Sequence, residues 1–138
     1  MSGTVRDYMI AGVETLAPDD LMKTALLLER RLRIRHIPIV ENGKLVGILT
    51  DRDLKRVMPS PLTGADEEQF EYVAETTHVK QIMTRSPMTI SPDAPLKDAV
   101  RLLCEKKFGA LPVVQGEQLV GIITETDMLR AFLAILEH

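Results

Sequence analysis

Two short constellations in this chain could do chemistry, and they are copies of one another. Thr50-Asp51-Arg52-Asp53 and Thr124-Glu125-Thr126-Asp127 each follow an apolar run ending Gly-Ile-Leu or Gly-Ile-Ile. A Thr with an Asp three residues on, at the start of a helix, is an approximate capping box. The hydroxyl accepts from a first-turn N–H and the helix dipole favours the carboxylate. The same pair can grip a ligand, because a hydroxyl at a helix N-terminus sits where anions are favoured. Spacing supports both readings. The duplication does not choose between them, since a repeated helix needs a repeated cap.

Other chemistries have less to stand on. His36, His78 and His138 are scattered, with no His/Cys/carboxylate cluster of metal-ligand spacing. Neither a nucleophile elbow nor a Walker-type glycine loop occurs. Cys104 is the only cysteine, so an internal disulfide is excluded and a reducing cytoplasm is the expected setting. It falls mid-helix, where a small buried hydrophobe is the ordinary expectation. A formal charge of −3 gives no general attraction for nucleic acid or anionic membrane. No apolar run approaches the roughly 20 residues that span a bilayer, and the first residues lack the apolar core of a signal peptide. The expectation is a protein that is not an enzyme.

The elements that position the two constellations read clearly. Residues 36–53 are strand, tight turn, strand and helix start, with Asn42-Gly43 as a two-residue type I′ turn. Residues 110–127 match them at an offset of 74 without a gap, and Gly116 at the first central position suits a type II′ turn. The repeat runs from 5–58 onto 79–132, with identities that include Val5/Val79, Met9/Met83, Lys23/Lys97, Pro38/Pro112, Gly47/Gly121 and Arg56/Arg130. Each unit opens with a short extended piece, Glu14–Leu16 or Met88–Ile90, stopped by a proline. A helix follows, from about Asp20 to Arg33 and from about Pro95 to Lys107. Asp20 is the expected N-cap of the first and Pro95 the first helical residue of the second. Leu21, Ala25, Leu28 and Leu32 are expected to share one face of the first helix. Pro38 and Pro112 should lie near the start of their strands, or where an N–H would face no partner.

Each unit therefore reads strand–helix–strand–strand–helix, an α/β (α+β) fold of two units with pseudo-twofold symmetry: residues 1–60, a linker at 61–77, and residues 78–138. The linker holds a turn-rich stretch at 59–65 and an acidic helix at 66–75, read as a solvated connection with Phe70 and Val73 on one side. The last helix is more apolar than one small core needs. Leu129, Phe132, Leu133 and Leu136, with Leu54, Val57 and Met58 of the matching helix, are expected to join two copies into a homodimer.

Two such units, each closing Gly-Ile-(Leu or Ile)-Thr-x-x-Asp after a hydrophobic-Pro-(Ile or Val)-Val strand, resemble a tandem pair of cystathionine β-synthase (CBS) domains, a stand-alone Bateman module. The resemblance spans about residues 4–136. It implies a regulatory module that binds adenosine-containing ligands in clefts between the two units, with no obligatory cofactor. By this resemblance Asp53 with Thr50, and Asp127 with Thr124, hold the ribose and the neighbouring phosphate. Arg35 and His36, before Ile37-Pro38, would reach phosphates, assisted by Arg52. Gly109 and Ala110, before Leu111-Pro112, would make room for the base. The Asp53 cleft is thus expected to bind better than the Asp127 cleft. The ligand is expected to be AMP, ADP or ATP, with S-adenosylmethionine or NAD as alternatives. A ligand-free dimerising scaffold is the second reading, and a nucleic-acid regulator using Arg30–Arg35 the weakest. Any signal would pass to an effector protein by non-covalent contact.

Overall fold

The computed structural model describes residues 3–59, Gly64 and 66–138; most of the turn-rich stretch expected at 59–65 lies outside the described residues. Two bodies result. One takes in Glu14–Asn42 and Val46–Ser86; the other takes in the amino-terminal segment to Val13, Gly43–Leu45 and Pro87–His138.

The first body is built on a hairpin of β1 (His36–Glu41) and β2 (Lys44–Thr50), flanked by α2 (Met22–Leu32) and α3 (Asp51–Val57). Asn42 and Gly43 have φ of 53° and 80°, both positive as a type I′ turn demands. The expected first strand shrinks to one parallel bridge, Leu16 to Ile39, in which the Leu16 N–H donates to Pro38 O at 3.2 Å. Pro38 is the third residue of its strand and contributes the acceptor it still has. Helix α2 begins two residues later than expected, with Leu21 as N-cap, because the Asp20 carboxylate instead accepts from the Ala17 N–H at 2.7 Å. Its inner face is Met22, Ala25 and Leu26, and Leu32 is exposed. Ala25 and Leu28 of the shared face do meet the core, but burial centres on Met22 and Leu26. At its C-terminus Arg33 takes the left-handed conformation, φ 56°.

Helix α4 (Glu67–Thr76), capped by Asp66, is not a solvated connection. It packs against α2, with Ala74 buried and Phe70 and Val73 pressed on the core that holds Leu26, Leu49 and Leu54. Leu54 is buried there, so it is core and not part of a dimer stripe. A 3₁₀ turn (Val79–Gln81) and β3 (Thr84–Arg85) complete the body, β3 lying antiparallel to β2.

The second body repeats the plan with α5 (Leu96–Lys106), the antiparallel hairpin β4 (Ala110–Gln115) and β5 (Gln118–Thr124), and α6 (Glu125–Leu136). Gly116 has φ 65° and Glu117 has no positive φ, which fits type II′. Pro95 is the N-cap of α5 and not its first helical residue. Lys107 ends α5 as Arg33 ends α2, at φ 56°. A parallel bridge, Ile90 to Val113, again replaces a strand. Helix α1 (Val5–Tyr8) and Ile10 belong here: Val5 is fully buried among Leu96, Leu111 and Ile123, and Ile10 bridges Ile122. Each hairpin is thus completed by the segment that precedes, in sequence, the extended piece of the other repeat.

Gly47 and Gly121 make that completion possible. A Cβ on Gly47 would stand 2.7 Å from Met83 Sδ and 2.9 Å from Thr84 O; on Gly121 it would stand 2.8 Å from both Met9 Sδ and Ile10 O. Only glycine lets the crossing segment lie so close.

Candidate ligand-binding site

Helix α3 and helix α6 begin with complete capping boxes. Thr50 N–H donates to Asp53 Oδ2 at 2.9 Å and Asp53 N–H to Thr50 Oγ1 at 3.2 Å. In α6 the matching distances are 2.8 and 3.3 Å, and Thr124 Oγ1 also donates to Asp127 Oδ2 at 2.9 Å. The helix starts are tied to the strand starts as well. Asp51 N–H donates to the Arg35 carbonyl and Glu125 N–H to the Gly109 carbonyl, both at 3.1 Å. Each hairpin therefore fixes the position of its own Thr-x-x-Asp.

Asp53 and Asp127 are 2% and 5% exposed and are the only buried charged residues described. A buried carboxylate requires compensation for lost hydration. The cap supplies it at Oδ2. At Oδ1 the two differ: Arg56 Nη2 donates to Asp53 Oδ1 at 3.0 Å, whereas Arg130 Nη1 stays 3.8 Å from Asp127 Oδ1. Thr84 Oγ1 also donates to the Asp53 carboxylate, 3.4 Å from each oxygen. Its counterpart beside β5 is Ile10, which has no hydroxyl to offer.

Of the remaining expected site residues in the first body, Arg35 and Arg52 are exposed and His36 is half-buried at the start of β1. Ile37 and Pro38 are buried within that body. In the second body Gly109 is half-buried at the strand start, while Ala110, Leu111 and Pro112 are buried. So the first set brings Arg35, His36, Thr50, Arg52 and Asp53 to one strand–helix junction, and the second brings Gly109, Ala110, Thr124 and Asp127 to another. Asp51 and Asp53 put two carboxylates in the first turn of the short α3, so its N-terminus by itself offers little attraction for an anion.

Sequence reasoning missed Arg56, Arg130 and Thr84. The arginines had a signal, an Arg three residues after the Asp in both copies. Thr84 had none, because it reaches Asp53 by tertiary pairing alone. Cys104, expected inside, is exposed on α5. No group of His, Cys, Asp and Glu among the described residues could hold a metal, and no described helix is long and apolar enough to cross a membrane.

The family description "CBS domain" matches residues 5–60 and 79–134. A CBS domain-containing protein of Dictyostelium discoideum is 31% identical over 139 residues, covering 99% of this chain and 96% of its own. Among solved structures, the plant protein CBSX2, of Arabidopsis thaliana, in complex with AMP is 32% identical with a TM-score of 0.77, covering 96% of this chain and 97% of its own. The CBS domain pair of protein MJ0100, in complex with 5-methylthioadenosine and S-adenosyl-L-methionine, is 26% identical with a TM-score of 0.78, covering 97% and 98%.

Proposed function

Because the chain belongs to the CBS domain family and carries the domain twice, we propose that it is a regulatory module that senses an adenine nucleotide (AMP, ADP or ATP) and is not itself an enzyme. The observation that carries the ligand reading is the use made of the two oxygens in each buried carboxylate. Oδ2 holds the cap and Oδ1 points to an arginine whose own side chain reaches solvent. Capping and ligand binding therefore do not compete. The vicinal hydroxyls of a ribose donate to Oδ1 once Arg56 or Arg130 swings aside, each such bond to a charged acceptor contributing about 1.5–3 kcal/mol.

Arg35, His36 and Arg52 supply the positive charge for phosphate at the first set, with Thr50 beside the sugar. Gly109 and Ala110, next to Leu111 and Pro112, leave room for a base, and Thr124 with Asp127 forms the second candidate grip on a ribose. The adenosine-containing ligands of CBSX2 and of MJ0100 support adenosine as the shared element. The cations of the first set favour a phosphate-bearing ligand over S-adenosylmethionine, whose sulfonium is itself cationic. Calorimetry with AMP, adenosine and S-adenosylmethionine tests this reading. AMP should bind more tightly than adenosine, and replacing Arg35 and His36 by Gly and Ala should abolish the difference. Equal losses for AMP and adenosine, or no binding of any of the three, would overturn it.

The same reading includes a homodimer through α6, where Leu129, Phe132, Leu133 and Leu136 are exposed. Burying a large apolar side chain contributes roughly 1.5–3 kcal/mol, so several from each copy can offset the cost of association. Sedimentation should give a dimer at tens of micromolar that Leu133→Glu with Leu136→Glu dissociates; a monomeric wild type rejects this interface.

A further inference from the structure

The two buried carboxylates are unequal at the oxygen left over from capping. Asp53 and Asp127 both use Oδ2 for their caps. At Oδ1 they part. Asp53 Oδ1 accepts from Arg56 Nη2 at 3.0 Å, and the Thr84 hydroxyl stands 3.4 Å from it. Seventy-four residues on, Arg130 Nη1 stays 3.8 Å from Asp127 Oδ1, beyond hydrogen-bond reach, and Ile10 takes the place of Thr84. Asp127 Oδ1 therefore has no hydrogen-bond donor among the described residues. No fully buried side-chain oxygen among them lacks a partner, so this atom keeps an opening to solvent.

Both arginine side chains are mostly exposed, so either can turn out into water. The cost of turning differs. Withdrawing Arg56 takes a charge-assisted donor from a carboxylate that is almost out of water. Withdrawing Arg130 breaks no hydrogen bond. The released guanidinium of Arg56 also has a destination. Arg52 and Arg56 are four residues apart on α3 and share a face of that helix, and Arg52 belongs with Arg35 and His36 to the cations of the first set.

We infer that Arg56 is the residue that makes the first set discriminate nucleotides from nucleosides, by exchanging one anion for another. This rests on the adenine-nucleotide reading above and adds to it a selectivity device outside the Thr-x-x-Asp motif. With the site empty, Arg56 holds Asp53. A ribose that takes Oδ1 expels it. A nucleotide gives the expelled guanidinium a phosphate to pair with beside Arg52, so the lost bond is recovered. A nucleoside offers no such anion, and its hydroxyls only replace the bond they broke. The second carboxylate has no such exchange and binds the sugar without regard to phosphate.

The test is calorimetry with AMP and adenosine on full-length chains that keep one carboxylate each. Asp127→Ala leaves the first set; Asp127→Asn, which keeps an oxygen for the cap, serves if the alanine variant does not fold. In that background Arg56→Gln should raise adenosine affinity about threefold or more and leave AMP affinity no higher than before. The preference for AMP then falls by at least about threefold. Arg56→Lys, which keeps the charge, should retain most of the preference. In the Asp53→Ala background, Arg130→Gln should raise adenosine affinity by less than half as much. Failure of wild type to bind AMP removes the nucleotide reading and the exchange with it. AMP binding with a preference that Arg56→Gln leaves unchanged removes the exchange alone, as do equal gains from Arg56→Gln and Arg130→Gln.

Discussion

The two bodies share a backbone frame and differ in what covers it. Val5 N–H donates to Ala94 O in one and Val79 N–H to Asp20 O in the other; Leu96 N–H to Gly3 O is matched by Met22 N–H to Thr77 O. Arg6 pairs with Asp93 as Lys80 pairs with Asp19. Backbone hydrogen bonds depend little on side-chain identity, so duplication preserves them. The differences lie where side chains meet something outside the frame: α4 over α2, with no counterpart over α5 among the described residues, and Thr84 beside one buried carboxylate with Ile10 in its counterpart's place. Position in the repeat thus sets backbone geometry, while exposure is set by neighbours that only one repeat has.

The largest test of this contrast is truncation beneath α4. Leu26→Ala should cost about 2–5 kcal/mol in urea unfolding, whereas Val100→Ala should stay within about 0.5 kcal/mol. Equal costs would mean that Val100 is as covered as Leu26. Where the frame is shared the outcome should be shared: Gly47→Ala and Gly121→Ala should each cost about 1–3 kcal/mol, since each new methyl meets a carbonyl oxygen and a methionine sulfur. A large cost in only one would show that the two crossings are not equivalent.

At the candidate site, Asp53→Ala should weaken nucleotide binding by about 1.5–3 kcal/mol and Asp127→Ala by less, measured by calorimetry. Both should lose some stability, about 1 kcal/mol for the cap alone. Indistinguishable binding losses would contradict the advantage assigned to Arg35 and His36. The smallest effect concerns the exposed pair Lys80–Asp19. The Lys80 ammonium, through its hydrogen bond and then its charge, holds the Asp19 carboxyl below its usual value of 3.8. A depressed folded value means stability present above 3.8 and lost as pH falls through the folded value. Lys80→Ala should lower the melting temperature slightly near neutrality and leave it unchanged at pH below the folded value, where the pair is already lost; a loss at low pH of the same size as near neutrality would assign Lys80 another role.

Much of the frame was legible because it rests on local chemistry. Asn42-Gly43 and Gly116 declare their turns through φ, and Thr50-x-x-Asp53 and Thr124-x-x-Asp127 declare their caps through reach along a single turn of helix. The unbroken offset of 74 extended each local reading to its copy, and the Gly-Ile-x-Thr-x-x-Asp pattern pointed to the family. Helix starts shifted because Asp20 found a nearer donor in Ala17, an outcome that propensity does not rank.

Burial was decided by tertiary structure. Leu54 and Leu129 both look like dimer-stripe leucines in sequence, yet one is core and the other is 67% exposed. Cys104 lies on a periodic helix and faces out, because the surface above it has no α4. Thr84 reaches Asp53 only through the pairing of β3 with β2. A turn or a cap is fixed by residues within four positions of each other; exposure and a second hydrogen-bond partner depend on segments tens of residues away, and only the folded chain brings those together.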